Sequence, residues 1–219
     1  VVRVLPRHRL SIVTREGNPP ASASGDGEAV PRVLRIAHVN YVFLSRDLAP
    51  SAAGLLEKFP TLVRLCESQA EDPAAKITAL VRFRRNEDLE AHGVSYRFRR
   101  DRADRETPNR WTFPGRLHRL ARGLAPDVVH VNGLLFPSQL WQLRAWIGRR
   151  PAIVLQHHGE SPLPAGRFGN WKRRMSFFPA DGFLFTSESM AGEWREAGQI
   201  ADPQTVSSVI EGSCDFKHN

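Results

Sequence analysis

Five short apolar runs in this sequence of 219 residues end in polar side chains or glycine. They end in Asn40-Tyr41, His130-Val131-Asn132-Gly133, Gln156-His157-His158-Gly159-Glu160, Thr186-Ser187-Glu188-Ser189 and Glu211-Gly212-Ser213. Amides, imidazoles and carboxylates flanked by glycine suit a polyhydroxylated ligand, because each sugar hydroxyl both donates and accepts a hydrogen bond. A histidine beside such a hydroxyl can act as general base or orient it, with a pKa close to working pH. Gly133, Gly159 and Gly212 let backbone and ligand approach closely.

Other chemistries fit these residues less well. His157, His158 and Glu160 do not read as metal ligands, since neighbouring side chains on a strand point to opposite faces. No metal site is expected. The first run is followed by no Gly-x-Gly-x-x-Gly, and the chain holds no Walker-type lysine loop. Glu211-Gly212-Ser213-Cys214-Asp215 lacks the spacing of a nucleophile elbow.

Polar run-ends matter only if the fold gathers them. Residues 33–39, 77–83, 94–98, 127–131, 151–156, 182–185 and 206–210 read as strands. Between them lie helical patterns. One runs from Ser51, an N-cap, through Leu55, Leu56, Phe59, Leu62, Val63 and Cys66, with Pro60 splitting it. Others are expected at 86–92 (ended by Gly93), 114–123, 138–147 (capped by Ser138, ended by Gly148), 171–178 and 187–197 (stopped by Gly198). Strands alternating with helices mean βα units. Strands without polar alternation mean a sheet covered on both faces. The expected architecture is α/β: a doubly wound, mainly parallel, Rossmann-like sheet with helices on both faces. In such folds ligands sit at the carboxyl ends of the strands.

Composition sets the outer bounds. With 41% hydrophobic and 25% charged residues the chain is globular. No apolar run approaches the ~20 residues that span a bilayer. Cys66 and Cys214 form neither a disulfide framework nor a metal cluster, and a reduced, cytoplasmic protein is expected. The net charge of +8 comes almost wholly from arginine, since the only lysines are Lys58, Lys76, Lys172 and Lys217. Arg97, Arg99, Arg100, Arg102 and Arg105 are interleaved with Asp101, Asp104 and Glu106, which reads as a solvated mixed-charge loop. Residues 1–31 combine a basic start with a Gly/Pro/Ser-rich stretch and read as a flexible arm outside the domain at 32–219.

The strings PDVVHVNG at 126–133, PAIVLQHHG at 151–159, ADGFLFTS at 180–187 and VIEGSCDF at 209–216 follow one another in an order that resembles the N-terminal domain of GT-B glycosyltransferases, family 4 (group 1) type. The family's strings are a "PDVVHxH" strand, a strand ending in His-Gly, an "AD…S" strand and an "IxNGVD…F" hinge. The chain departs from them in three places. Ala52-Ala53-Gly54 replaces the usual Gly-Gly, Asn132 stands where a second His is common, and Glu211 where Asn is common. The resemblance implies an acceptor-binding half of a retaining glycosyltransferase that ends at the interdomain hinge. The nucleotide-sugar donor would be held by a second domain absent from this sequence, so no cofactor is expected on this one and the isolated fragment would be inactive. His158 is the implied catalytic contributor, facing the transferred sugar. Asn132, Glu160, Gly54, Asn40 and Ser187 would line the acceptor side. His157 and His130 are expected to be packed rather than ligand-binding. The implied partner is a sugar or lipid-linked acceptor.

One segment stands apart. Trp171, Met175 and Phe178 share a helical face at i, i+4 and i+7, from which Lys172, Arg173 and Arg174 fall away. The aromatic face is expected to pack on the sheet. The alternative is contact of Trp171, Lys172, Arg173 and Arg174 with anionic lipid or substrate phosphate, peripheral to the inner face of the membrane. Two rival functions are a non-catalytic glycan- or partner-binding module and a basic nucleic-acid-binding domain. The second predicts a steep salt dependence of binding, and nucleic acid is not the expected partner.

Overall fold

The computed structural model describes residues 2–4, 10–12, 32–41, 51–101, 112–162, 164–200 and 206–208. The chain divides into two units, Val1–Arg32 and Val33–Asn219. In the first, β1 (Val2–Val4) pairs antiparallel with β2 (Leu10–Ile12).

The second unit holds an eight-stranded sheet. Its strands are β3 (Leu34–Asn40), β4 (Ala75–Arg82), β5 (Glu87–Ala91), β6 (Val94–Arg99), β7 (Val128–Asn132), β8 (Ala152–Gln156), β9 (Gly182–Phe185) and β10 (Val206–Ser208). The spatial order is β10-β9-β8-β7-β3-β4-β6-β5. All neighbours are parallel except β5, which pairs antiparallel with β6. The helices are α1 (Ala52–Lys58), α2 (Pro60–Ala70), α3 (Gly115–Leu124), α4 (Pro137–Ile147), α5 (Arg167–Ser176) and α6 (Glu188–Glu196). This is the doubly wound, Rossmann-like sheet expected.

Two apolar layers hold it together. On one face Ala37, Val39, Leu80, Val129, Val131, Ile153, Leu155, Phe183 and Phe185 meet Leu117 and Ala121 of α3, Leu140 and Leu143 of α4, Phe177, and Ala191 and Trp194 of α6. On the other, Ile77, Ala79, Val81, Val94, Tyr96 and Phe98 meet Ala52, Leu55, Leu62 and Cys66 of α1 and α2. Each large side chain so buried contributes roughly 1.5–3 kcal/mol.

Ser51 caps α1, its Oγ accepting from Gly54 N at 3.1 Å. Pro60 opens α2 where the pattern required a break. The expected cap Ser138 lies instead inside α4, which begins at Pro137 with its fixed φ suited to a first helical position.

The aspartates of the PDVVH and AD strings have a structural task. Asp127 Oδ2 accepts from Arg35 N at 3.0 Å while its own N–H donates to Arg35 O at 2.9 Å. Asp181 repeats this with Ile153, at 2.7 and 2.8 Å. Each fixes the register of two parallel strands at the end opposite the polar run-ends.

Residues 86–92 do not form the expected helix; Glu87–Ala91 are strand β5. Ala91 and Val94 are cross-strand partners, so His92-Gly93 is a two-residue hairpin turn. Both turn residues have positive φ, 48° and 78°, as a type I′ turn requires. Glu87, Leu89, Glu90 and Ala91 favour a helix by propensity, but cross-strand charge pairing outweighs that preference. Arg99 meets Asp88 at 2.5 Å and Arg97 meets Glu90 at 2.6 Å. Arg97 lies in the strand expected at 94–98, and Arg99, expected in a solvated loop, extends it as the last residue of β6.

Candidate functional site

The parallel register aligns the strand-end amides. Asn40 of β3 is the partner of Asn132 of β7, which is the partner of Gln156 of β8. The three form a row across the carboxyl ends of adjacent strands. One pleat back, His38 is the partner of His130. The row and the histidine pair share the sheet face that carries α2, because His38 and Asn40 are in register with Ala79 and Val81 of that layer.

His38 Nε2 lies 2.7 Å from Gln69 Oε1, and the Nδ1 atoms of His38 and His130 are 2.8 Å apart. With Gln69 accepting, His38 carries its proton on Nε2, so His130 Nδ1–H donates to His38 Nδ1. That leaves His130 Nε2 as an acceptor. Gln156 of the amide row is within hydrogen-bonding reach of His130. Asn132 Oδ1 is buried and has no hydrogen-bond partner among the described residues. A buried acceptor beside the strand ends matches a ligand that brings a donor.

Glu160 joins the loops that follow these strands. Its Oε1 accepts from Leu134 N at 2.9 Å and its Oε2 from His158 N at 2.7 Å. One carboxylate thus ties the loop after β7 to the loop after β8. His157 lies beneath, 1% exposed, against Phe185 and Trp194. Its Nε2–H donates to Glu160 O, while its Nδ1 accepts from Gly159 N. Trp194 Nε1 also donates to Glu160 O. His158 itself stands exposed at the tip.

Gly133 is required here. Its φ is +88°, and a Cβ would sit 2.9 Å from Glu160 Oε1. Gly133→Ala should cost about 1–3 kcal/mol through strained backbone and a displaced carboxylate. Chemical denaturation reads the loss, and faster exchange of the Leu134 and His158 amides would locate it.

The expected site residues divide into two groups. Asn40, Asn132, Glu160 and His158 come together. Gly54 and Ser187 serve helix caps: Gly54 N–H donates to Ser51 Oγ, and Ser187 Oγ accepts from Met190 N at 3.3 Å. Gly54 belongs to α1, whose Ala52 N–H donates to Glu87 of the edge strand β5, four places from β7. Arg173 is half-buried, lies over the Phe177 ring and donates to Leu134 O at 3.4 Å, so it joins the β7 loop rather than solvent. Trp171, Lys172 and Arg174 are exposed. The string at 209–216, the loop at 45–47 and residues 102–111 lie outside the described residues. His38 was missed from sequence, and Gln156, named there only as part of a polar strand end, joins the row through cross-strand register.

The buried imidazoles carry a pH signature. Burial lowers His38 to about 4, against the opposing Gln69 hydrogen bond, and lowers His118 to about 4. His130 is also held below the usual range, by burial first and then by electrostatic coupling to the neighbouring imidazoles, against a hydrogen bond with Gln156. For each, the unfolded chain takes up the proton first as pH falls. Stability is therefore full above pH 6.5 and declines between 6.5 and about 4, by roughly 1.4 kcal/mol per pH unit for each histidine. Tm followed across this window should fall monotonically. A flat profile would contradict neutral burial.

An amide row and a loop histidine at the carboxyl ends of a mostly parallel, helix-covered sheet define a Rossmann-like α/β domain. The family model for Glycosyltransferase Family 4 matches residues 61–207, and the chain belongs to that family. Solved structures similar to it include the lipopolysaccharide outer core galactosyltransferase WaaB in its apo form. That match has 15% identity and a TM-score of 0.45, over 80% of this chain and 44% of that one. Anabaena HepE in complex with UDP matches at 12% identity and a TM-score of 0.45, over 80% of this chain and 43% of that one. The chain thus spans less than half the length of these two structures. No curated protein matches it.

Proposed function

We propose that this chain is the acceptor-binding half of a retaining glycosyltransferase and that a second domain supplies the nucleotide-sugar pocket. The family membership supports the reaction class. The observation that carries the assignment of this half is Asn132. Its unpartnered Oδ1 stands in the amide row, beside loops that one carboxylate ties together. An acceptor hydroxyl donating to Asn132 Oδ1 and accepting from a neighbouring amide would be oriented on both its functions. His158, at the tip of the tied loop, would face the transferred sugar and stabilise or relay charge there. Glu160 holds these groups in place and is a positioning residue, because both of its oxygens already accept N–H bonds. Fixing loops in this way lowers the ordering cost of reaching the reactive geometry.

The test uses the full-length protein with a panel of nucleotide sugars and NMR of the product anomer. Transfer with the donor's anomeric configuration kept supports the proposal. Inverted product refutes the retaining mechanism. Donor binding that survives in the 219-residue chain alone refutes the division between halves.

A further inference from the structure

The aromatic face of α5 does not pack on the sheet, as the sequence suggested it would. Advancing 100° per residue, Phe168, Trp171 and Met175 form one stripe, which Phe178 continues in the turn after the helix. They are 75%, 56%, 41% and 72% exposed. The inward face is made by Phe177, which is 4% exposed, and by Arg173. Trp141 of α4, 46% exposed, stacks on Phe178 and widens the stripe. Phe168 and Trp171 stack on each other.

We propose that this stripe is a docking surface for an anionic lipid bilayer. It goes beyond the transfer reaction and does not depend on it. Lys172 borders the stripe on one side, and Arg167 and Arg174 border it on the other. None of the three makes an ion pair among the described residues. Residues 161–180 contain no Asp or Glu. Exposed aromatic rings between rows of cations suit the boundary of acyl chains and acidic headgroups, where ring and cation each find their own environment. A second copy of the chain is a poorer occupant, because pairing the stripe with itself sets cations against cations.

The surface is also built rigidly. Arg173 donates to Leu134 O, Gln199 Nε2 donates to Asn170 Oδ1 at 3.2 Å, and Phe177 is sunk in the core. Turning the stripe inward would break all three. No helix among the described residues is long and apolar enough to cross a membrane, so the contact is one of lying on the surface.

The experiment is co-sedimentation of the 219-residue chain with phosphatidylcholine vesicles, with and without ~30 mol % phosphatidylglycerol. Binding is expected with the anionic vesicles, weaker with neutral ones and weakened by salt. Trp171→Ser with Phe178→Ser should reduce it about tenfold or more without lowering Tm, since both side chains are exposed. Lys172→Glu with Arg174→Glu should remove the preference for anionic vesicles. Wild-type chain left in the supernatant with both vesicle types would overturn the proposal. So would binding that the aromatic variants leave unchanged. A concentration-dependent dimer that those variants dissolve would reassign the surface to a second copy.

Discussion

His158→Ala in the full-length protein should lower kcat for sugar transfer by about 10²–10³-fold while leaving Tm unchanged. The two halves of that expectation have separate causes. The imidazole is exposed and its loop is held through backbone, by His158 N–H on Glu160 Oε2 at 2.7 Å. Removing the side chain leaves that bond in place, so the fold keeps its stability. The loss then falls on whatever the ring contributes to the reaction. His158→Gln separates two such contributions. A ring that only orients a hydroxyl should be partly replaced by an amide, with KM little changed. A ring that moves or stabilises a proton should not be, and kcat should stay low in both variants. Unchanged kcat in His158→Ala would remove the residue from the chemistry.

Glu160→Gln makes a useful comparison, because it keeps the shape of the carboxylate but turns one acceptor into a donor facing an N–H group. His158 then loses its held position while its ring remains. Defects shared by His158→Ala and Glu160→Gln would mark positioning as the route by which Glu160 acts.

Much of this site was legible in the sequence because parallel α/β sheets place chemistry at strand ends. That rule put Asn40, Asn132 and His158 at strand ends, and the family resemblance singled out His158 among them. Register was not legible. Nothing in residues 34–40 and 128–132 says that Asn40 faces Asn132 and His38 faces His130. Nor does sequence show that Glu160 reaches across 26 residues to Leu134. Gly54 and Ser187 illustrate an ambiguity of residue type, since the residues that cap helices also bind ligands. The outward turn of α5 has a similar origin. Its apolar spacing fits a buried stripe, and only the placement of Phe177 and Arg173 shows which side the sheet takes. The PDVVH and AD strings, by contrast, were legible as a pattern before their physical cause was. Their aspartates lock strand register.

The largest stability effect should come from the buried ion pair of Arg82, at the end of β4, with Asp101, just after β6. Arg82 Nε and Asp101 Oδ2 are in direct contact, and the side chains are 1% and 5% exposed. Two charges buried together lose their hydration and recover a large part of it through each other. Asp101→Asn keeps the shape but leaves the guanidinium buried without its counter-charge. The expected cost is about 3–5 kcal/mol, read from urea denaturation as a lower midpoint at unchanged slope. Arg82→Met should cost less than Asp101→Asn, because a carboxylate near the end of its strand can turn toward water, while a long cation in the core cannot. The double variant Arg82→Met with Asp101→Leu should recover most of the loss, since it removes both charges and their desolvation together. If Asp101→Asn melts like the wild type, the guanidinium must have other support, and Arg82→Met would then be the more damaging change.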